Sequence, residues 1–174
     1  MAITTINNRA INRTDTAASG ESWTATSATA SDFQASVNTP AFQAYKSSSQ
    51  SIGDSANTKV TFDTETLDTD SAFASSTFTV PSGKNGKYFI YAQLQLDTGS
   101  GATFFVSIFK NGAEVFAKRM TSDGANRKSP AVSAVISLVA TDTVDIYTYQ
   151  NSGTSKDVDG ANKRTHFGGY KLVG

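Results

Sequence analysis

The sequence contains no cysteine and only one histidine. A chain without cysteine cannot form disulfides, a thiolate zinc site or a cysteine nucleophile. A histidine-based metal centre cannot be built from a single imidazole, and a catalytic triad would have to use that same residue, His166. His166 lies beside Phe167 in an expected strand. In that position a structural or interface histidine is favoured over a general base. We therefore expect a protein that is not an enzyme.

Net charge and long hydrophobic runs are absent as well. The 15 Lys and Arg residues balance 15 Asp and Glu residues, so no overall field attracts nucleic acid or an anionic membrane. No stretch approaches the roughly 20 apolar residues of a membrane span. The opening MAITTINNRAINR lacks the apolar core of a secretory signal. We expect no nucleic-acid partner, no membrane insertion and synthesis in the cytoplasm.

Three carboxylate pairs are the remaining candidates for chemistry: Asp68 with Asp70, Asp142 with Asp145, and Asp157 with Asp159. Paired carboxylates hydrolyse glycosidic bonds when they converge on a cleft, but these pairs lie in loop-like sequence where solvated carboxylates are usual. The segments SKDVDGANK and TSDGANRK have the Asp-Gly texture of calcium loops. They lack the later glutamate of a helix-loop-helix site, so we interpret them as turns, with calcium as the alternative and no cofactor expected.

A cluster of basic residues flanks the second of these loops. It consists of Lys118, Arg119, Arg127 and Lys128. We interpret this cluster as a solubilising loop tip, and contact with a glycan is the alternative.

Residues 1–39 are composed mainly of Thr, Ala, Ser and Asn, with large apolar side chains only at isolated positions. Such a segment cannot build a core of its own. We interpret it as an extended N-terminal arm whose anchors enter pockets on a partner; the anchors are Ile3, Ile6, Ile11, Trp23 and Phe33. SWTATSATA suits strand addition to a neighbour's sheet. A disordered leader is the alternative.

After Pro40 the pattern changes to short apolar runs separated by Gly, Asn, Asp and Ser clusters, without helical periodicity. This pattern predicts an all-β sandwich or barrel. The predicted strands are 41–46, 59–63, 77–80, 87–96, 102–110, 114–120, 131–139, 143–150 and 164–173. Asn111-Gly112 predicts a type I′ hairpin, because both positions of that turn need positive φ. The tight connection 140–142 predicts that its two strands pair or lie side by side.

Several predicted strands are apolar on both faces. In 87–96 one face carries Tyr88, Ile90 and Ala92, and the other carries Phe89 and Tyr91. A strand of a sandwich needs only one apolar face, so the second face requires another layer. We expect that layer to be further copies of the chain, with four candidate interface residues: Phe89, Tyr91, Phe105 and Phe167. The alternative is that these aromatic residues cap the rim of one sandwich.

Six motifs in order resemble the successive strands of the complement component 1q globular head family, relatives of the tumour-necrosis-factor fold. They are PAFQAY, VTFDTETLDTDSAF, FTVPSGKNGKYFIYAQLQL, VSIFKNG, SAVISLVATDTVDIYTY and HFGGYKLV. The resemblance covers residues 40–174. It implies a ten-stranded antiparallel jelly roll of two sheets, assembled as a homotrimer with the inner sheet facing the threefold axis.

The segment before this domain departs from the family, because it has neither a Gly-X-Y repeat nor a heptad stalk. TTINNRAINRTDTAASGESWTATSATASDFQ instead resembles the leaders of structural proteins of tailed bacteriophages. Together the two resemblances imply a trimeric knob on a virion surface, made in the host cytoplasm. Its arm would attach to capsid or tail, with decoration or stabilisation of the capsid as the favoured role. The alternatives are a tail-fibre tip that binds a host-surface glycan or receptor, a free lectin-like recognition module, and a carbohydrate-active enzyme.

Overall fold

The computed structural model describes residues 38–97, 101–123 and 127–172, all within one compact unit of the chain. These residues form thirteen β-strands and a 3-10 turn at Ala161–Lys163. The strands are β1 Ala41–Tyr45, β2 Gln50–Ile52, β3 Thr58–Lys59, β4 Thr64–Asp68, β5 Phe73–Ala74, β6 Thr77–Thr79, β7 Gly86–Gln93, β8 Thr103–Lys110, β9 Ala113–Thr121, β10 Ala131–Leu138, β11 Thr143–Gln150, β12 Lys156–Val158 and β13 His166–Lys171. In the described ranges, no helix has the length and apolarity that crossing a bilayer requires.

The strands build two antiparallel sheets that pack face to face. Sheet I has the order β10-β7-β13-β1-β4, and sheet II has the order β5-β6-β11-β8-β9, with β3 also paired to β11. The short strands β12 and β2 form a separate pair. The chain passes from one sheet to the other after β3, β4, β6, β7, β9 and β10. The two antiparallel sheets confirm the all-β jelly roll predicted from the sequence.

Most long strands follow the predicted bounds, and the departures have a local cause. The expected strand 59–63 is wrong beyond Lys59, where β3 ends, although Val60 and Phe62 are buried in the connection that follows. Strand β4 was not predicted. Its sequence TETLD has one large apolar residue, Leu67, which is 47% exposed, so the edge strand carries no buried alternation.

The two turns predicted from the sequence have different outcomes. Asn111 and Gly112 have φ of 50° and 78°, as a type I′ turn requires, and they join β8 to β9. The connection 140–142, in contrast, does not join neighbouring strands. Strand β10 lies in sheet I and β11 lies in sheet II, so this tight turn carries the chain across the sandwich.

Aromatic rings from both sheets fill the centre of the core. The ring of Phe42 stacks on Phe78 at a centroid distance of 4.4 Å and meets the edge of Phe167 at 4.9 Å. Phe167 also contacts Phe62 and Phe73, and it is 0% exposed. The prediction of Phe167 as an interface residue is therefore wrong. Its ring points between the sheets and offers no surface to another copy.

Candidate interaction surfaces

Large aromatic side chains cover the outward side of sheet I. Phe89 and Tyr91 project from β7 away from the core, and the pairing register sets Phe89 opposite Tyr170 and Tyr91 opposite Gly168. The Phe89 ring lies 5.6 Å from Tyr170 and 6.0 Å from Tyr91. We call this surface the aromatic face of sheet I; its residues are Tyr45, Phe89, Tyr91, His166 and Tyr170.

A glycine makes room for Tyr91 on this face, and a hydrogen bond from Gln43 holds its hydroxyl. A Cβ at Gly168 would lie 2.4 Å from the Tyr91 hydroxyl oxygen, so only glycine leaves room for the ring to cross β13. Gln43 Nε2 donates to Tyr91 Oη at 2.9 Å, and Gln43 Oε1 accepts from Thr66 Oγ1 at 3.0 Å. The Tyr91 ring is thus held in place within the single chain.

Two open depressions indent the aromatic face of sheet I. One, of about 460 Å³, lies among Phe89, Tyr91, Ser133 and His166. The other, of about 250 Å³, shares His166 and includes Tyr45, over which Lys163 Nζ lies 4.8 Å from the ring centroid. The histidine predicted to be structural or interfacial therefore stands between the two depressions, 6.1 Å from the Tyr91 ring.

The large hydrophobic side chains that the described residues expose concentrate on sheet I and on one edge of the sandwich. They are Leu67, Val115, Phe116, Val135 and Val139, and each is 39% to 55% exposed. Leu67 extends the aromatic face, because it pairs with Gln43. Val135 lies opposite Phe89 on the end strand β10, where the aromatic face meets the edge of the sheet. Strands β9 and β10 end the two sheets. We call Val115, Phe116, Val135 and Val139 the β9–β10 edge.

Sheet II carries a second set of aromatic residues on its own outward side. Phe105 and Tyr149 lie opposite each other with centroids 5.6 Å apart, and Phe109 lies 4.2 Å from Tyr147. We call these four residues the aromatic row of sheet II. Phe105, predicted to share an interface with Phe89 and Tyr91, therefore lies on the opposite side of the sandwich. Tyr147 and Tyr149 were not among the predicted site residues, although the alternation of TVDIYTYQ indicates that both lie on one face of β11.

The carboxylates of the first two predicted pairs have separate structural partners. Asp68 accepts hydrogen bonds from the backbone N–H of Ala72 and Phe73 at 2.9 and 3.0 Å. Asp145 binds Lys59 at 2.6 Å. Asp142 accepts hydrogen bonds from Lys110 and Asn111, which hold the pKa of its carboxyl down at about 2. The two members of each pair do not share a partner.

The third carboxylate pair lies in the loop suggested as a calcium site. Asp159 binds Arg127 and accepts the backbone N–H of Ala161 at 2.8 Å, and Arg127 also binds Asp97 at 2.7 Å. The guanidinium thus places a positive charge between two carboxylates. Across the part of the chain that the structure describes, no group of three or more Asp, Glu or His residues could hold a metal ion.

These ion pairs also divide the predicted basic cluster. Arg127 and Lys128 are bound by carboxylates, Lys128 by Asp123. Lys118 and Arg119 lie apart on β9.

Comparison with known proteins then decides the family. The model of the C1q domain matches residues 41–172, more than half of the chain and all of β1 to β13. The chain belongs to the C1q domain family. Residues 1–39 precede the matched region, and the anchors Ile3, Ile6, Ile11, Trp23 and Phe33 lie outside the described residues, so their role stays a prediction.

Solved structures share the fold of this C1q domain at low sequence identity. The globular domain of zebrafish complement 1qA is 16% identical with a TM-score of 0.55, and the alignment covers 77% of this chain and 98% of that one. Eiger TNF from S. frugiperda is 13% identical with a TM-score of 0.58 (76% and 92% covered). Murine APRIL at pH 5.0 is 17% identical with a TM-score of 0.58 (76% and 98% covered). The comparison with curated proteins gives no match.

Proposed function

We propose that this C1q domain assembles as a homotrimer through the aromatic face of sheet I, and that the trimer is a non-enzymatic knob on a bacteriophage virion. Residues 1–39 attach the knob, and its role is to decorate or stabilise the capsid. The carrying observation is the placement of exposed apolar side chains on two unlike surfaces, the aromatic face of sheet I and the β9–β10 edge.

Two unlike surfaces favour a closed ring over a simple dimer. When one surface of a copy contacts a different surface of the next, the contact is heterologous, and it closes into a ring if the rotation permits. The C1q resemblance implies three copies with the inner sheet toward the axis. A stable contact buries about 800 Å² on each partner, and apolar area contributes roughly 25 cal/mol per Å². Leu67, Val135 and the half-buried aromatic rings supply apolar area of this kind.

A structural role also agrees with the state of the carboxylates. Asp68, Asp142 and Asp145 are engaged by backbone N–H groups or lysines that position loops and strand ends. A glycosidase needs two carboxylates facing one cleft, and these side chains serve separate partners. The C1q family assignment also supports a non-enzymatic role.

The virion context rests on the leader sequence. Residues 1–39 combine low complexity with isolated large side chains, in the manner of leaders in tailed-phage structural proteins. An arm of this kind can add a strand to a neighbour or insert single side chains into pockets. One observation favours the second candidate function, a tail-fibre tip or a lectin-like module that recognises a glycan. The aromatic row of sheet II faces away from the proposed trimer contact, so assembly leaves it free.

The arm is tested by deleting residues 1–39 and measuring docking on particles assembled without this protein. We expect a soluble trimer that no longer docks. Trp23→Ala combined with Phe33→Ala should weaken docking, whereas Ser27→Ala, within the same segment, should not. If the truncated trimer docks as well as the full chain, residues 1–39 are not the anchor. Binding to host cells that surface polysaccharide blocks would support the tail-fibre function instead.

A further inference from the structure

We propose that the aromatic row of sheet II binds an acidic carbohydrate, with sugar rings resting on the aromatic side chains and a uronate carboxylate paired with Arg119. The row lies on the side of the sandwich opposite the aromatic face of sheet I. Arg119 lies toward the other end of β9 from Val115 and Phe116, so the proposed trimer contact leaves this surface open.

The side chains of this surface are of two kinds, aromatic and polar. The outward positions of β8 and β11 are Thr103, Phe105, Ser107, Phe109, Thr143, Asp145, Tyr147 and Tyr149. None of these positions on the two strands is aliphatic. A pyranose ring has the same two-part character, since its C–H groups form an apolar face and its hydroxyls form a polar rim. Flat rings beside hydroxyls therefore fit a sugar.

The four aromatic side chains form one continuous platform. Ser107 lies between the pair Phe105–Tyr149 and the pair Phe109–Tyr147 on the same side of the sheet, and it is only 3% exposed because its neighbours cover it. Neither tyrosine hydroxyl hydrogen-bonds to any residue that the structure describes. Each is therefore available to a ligand hydroxyl, for which a phenol can both donate and accept.

A cation without a carboxylate partner stands at one end of the platform. The Arg119 guanidinium lies 5.8 Å from the Phe105 ring centroid, and it donates a hydrogen bond to Thr103 Oγ1 at 3.4 Å. Within the described ranges it makes no ion pair, whereas Lys59 on the same surface is neutralised by Asp145 at 2.6 Å. A guanidinium fork matches the two oxygens of a carboxylate. Charge complementarity thus selects an acidic sugar.

Single-stranded nucleic acid also stacks on aromatic platforms, but it requires several cations along the strand. Here the outward positions of β8 and β11 include one acid, Asp145. On β9, Glu114 lies opposite Phe109, whereas Arg119, the free cation of the platform among the described residues, lies opposite Phe105 at the other end. The protein's balanced charge gives no wider basic field. An acidic oligosaccharide therefore fits better than a nucleic acid.

Calorimetric titration of the full chain with a galacturonic acid hexamer tests the proposal, with a maltohexaose and an oligothymidylate as comparison probes. We expect the uronate to bind at least about tenfold more tightly than the neutral sugar, as a charge-assisted hydrogen bond predicts. Because the oligosaccharide engages one domain, this result is independent of the oligomeric state and of the arm. Absence of uronate binding at millimolar concentration, or tighter binding of the oligothymidylate, would overturn the proposal.

The decisive variants are Arg119→Gln and Lys118→Gln. Both remove one positive charge from an exposed position on β9, but Lys118 pairs with the inward-facing Val106 and so projects from the other side of the strand. We expect Arg119→Gln to weaken uronate binding about tenfold. Lys118→Gln should leave it within twofold, and both variants should melt like the parent. Equal losses in the two variants would show attraction by overall charge only and would contradict the assignment.

Discussion

Asp142 holds the turn at which the chain crosses from sheet I to sheet II. It is 7% exposed, and its carboxylate binds Lys110 Nζ and the Val139 N–H at 2.8 Å each and Asn111 Nδ2 at 2.7 Å. These donors hold the carboxyl pKa at about 2, against an ordinary value of 3.8. Because the folded-state pKa is the lower one, the carboxylate stabilises the fold above about pH 4, and this contribution is lost as the pH falls toward 2.

Replacing Asp142 with Asn should therefore lower stability in a pH-dependent way. We expect the free energy of unfolding to fall by roughly 1–2 kcal/mol at about pH 7, because the amide NH2 group of Asn would face an N–H donor that now binds a carboxylate oxygen. The difference from the parent should shrink as the pH approaches about 2.5. Urea unfolding curves at both pH values measure it. Asp123→Asn, at an 83% exposed side chain, is the matched control and should have little effect. A pH-independent difference would count against the carboxylate's role.

Gly168 is the residue that makes room for the aromatic face of sheet I. A Cβ there would meet the Tyr91 hydroxyl oxygen at 2.4 Å and the backbone oxygen of Phe42 at 2.9 Å. We expect Gly168→Ala to lower the free energy of unfolding by roughly 1–3 kcal/mol, as overpacking does. Gly53→Ala is the control, because nothing lies within 4 Å of the added atom. Chemical denaturation of both variants gives the comparison, and equal stabilities would refute the steric argument.

Among the strands, alternation of apolar and polar residues predicted those that are long and pack one face on the core. Strand β8 has bounds close to those predicted and β7 ends three residues before its predicted end, and in both strands the inward residues are apolar without interruption. Alternation failed at β4, where the edge strand buries little, and at β2, β5 and β12, which have only two or three residues. Alternation also led to the prediction of Phe167 as an interface residue, whereas the observed register points its ring into the core.

The β9–β10 edge is the element whose exposure most needs a partner. A lysine at this edge would place a charge in the apolar contact with another copy and weaken it. We therefore expect Val135→Lys or Phe116→Lys to shift the protein toward single chains. The fold should persist, because these side chains are 50% and 44% exposed in the single chain. Sedimentation velocity and a melting curve test both statements. Thr79→Lys, exposed on sheet II, adds the same charge and should leave the mass unchanged. A Val135→Lys protein with the parent's mass would exclude this edge from the contact.

At the scale of the whole molecule, the two outward sides of the sandwich differ in kind. Sheet I combines aromatic rings with exposed aliphatic residues. Strands β8 and β11 of sheet II combine aromatic rings with hydroxyls, beside Arg119, which makes no ion pair with the residues that the structure describes. Alternation in the sequence predicted an all-β sandwich or barrel and a second apolar face, and the resemblance to the complement 1q family implied the jelly roll. It could not assign Phe89 and Phe105 to opposite sides, because that depends on which strands pair across the sandwich. The proposed division of roles is assembly through sheet I and recognition through sheet II.

The mass of the full chain in solution tests the central claim most directly. Multi-angle light scattering at micromolar concentration should give three times the mass of one chain. When dilution separates the copies and the mass falls, the cooperative melting transition should shift to lower temperature. A mass equal to one chain, with melting that is independent of concentration, would mean that the aromatic face of sheet I is stable in water without a second copy, and it would contradict the account.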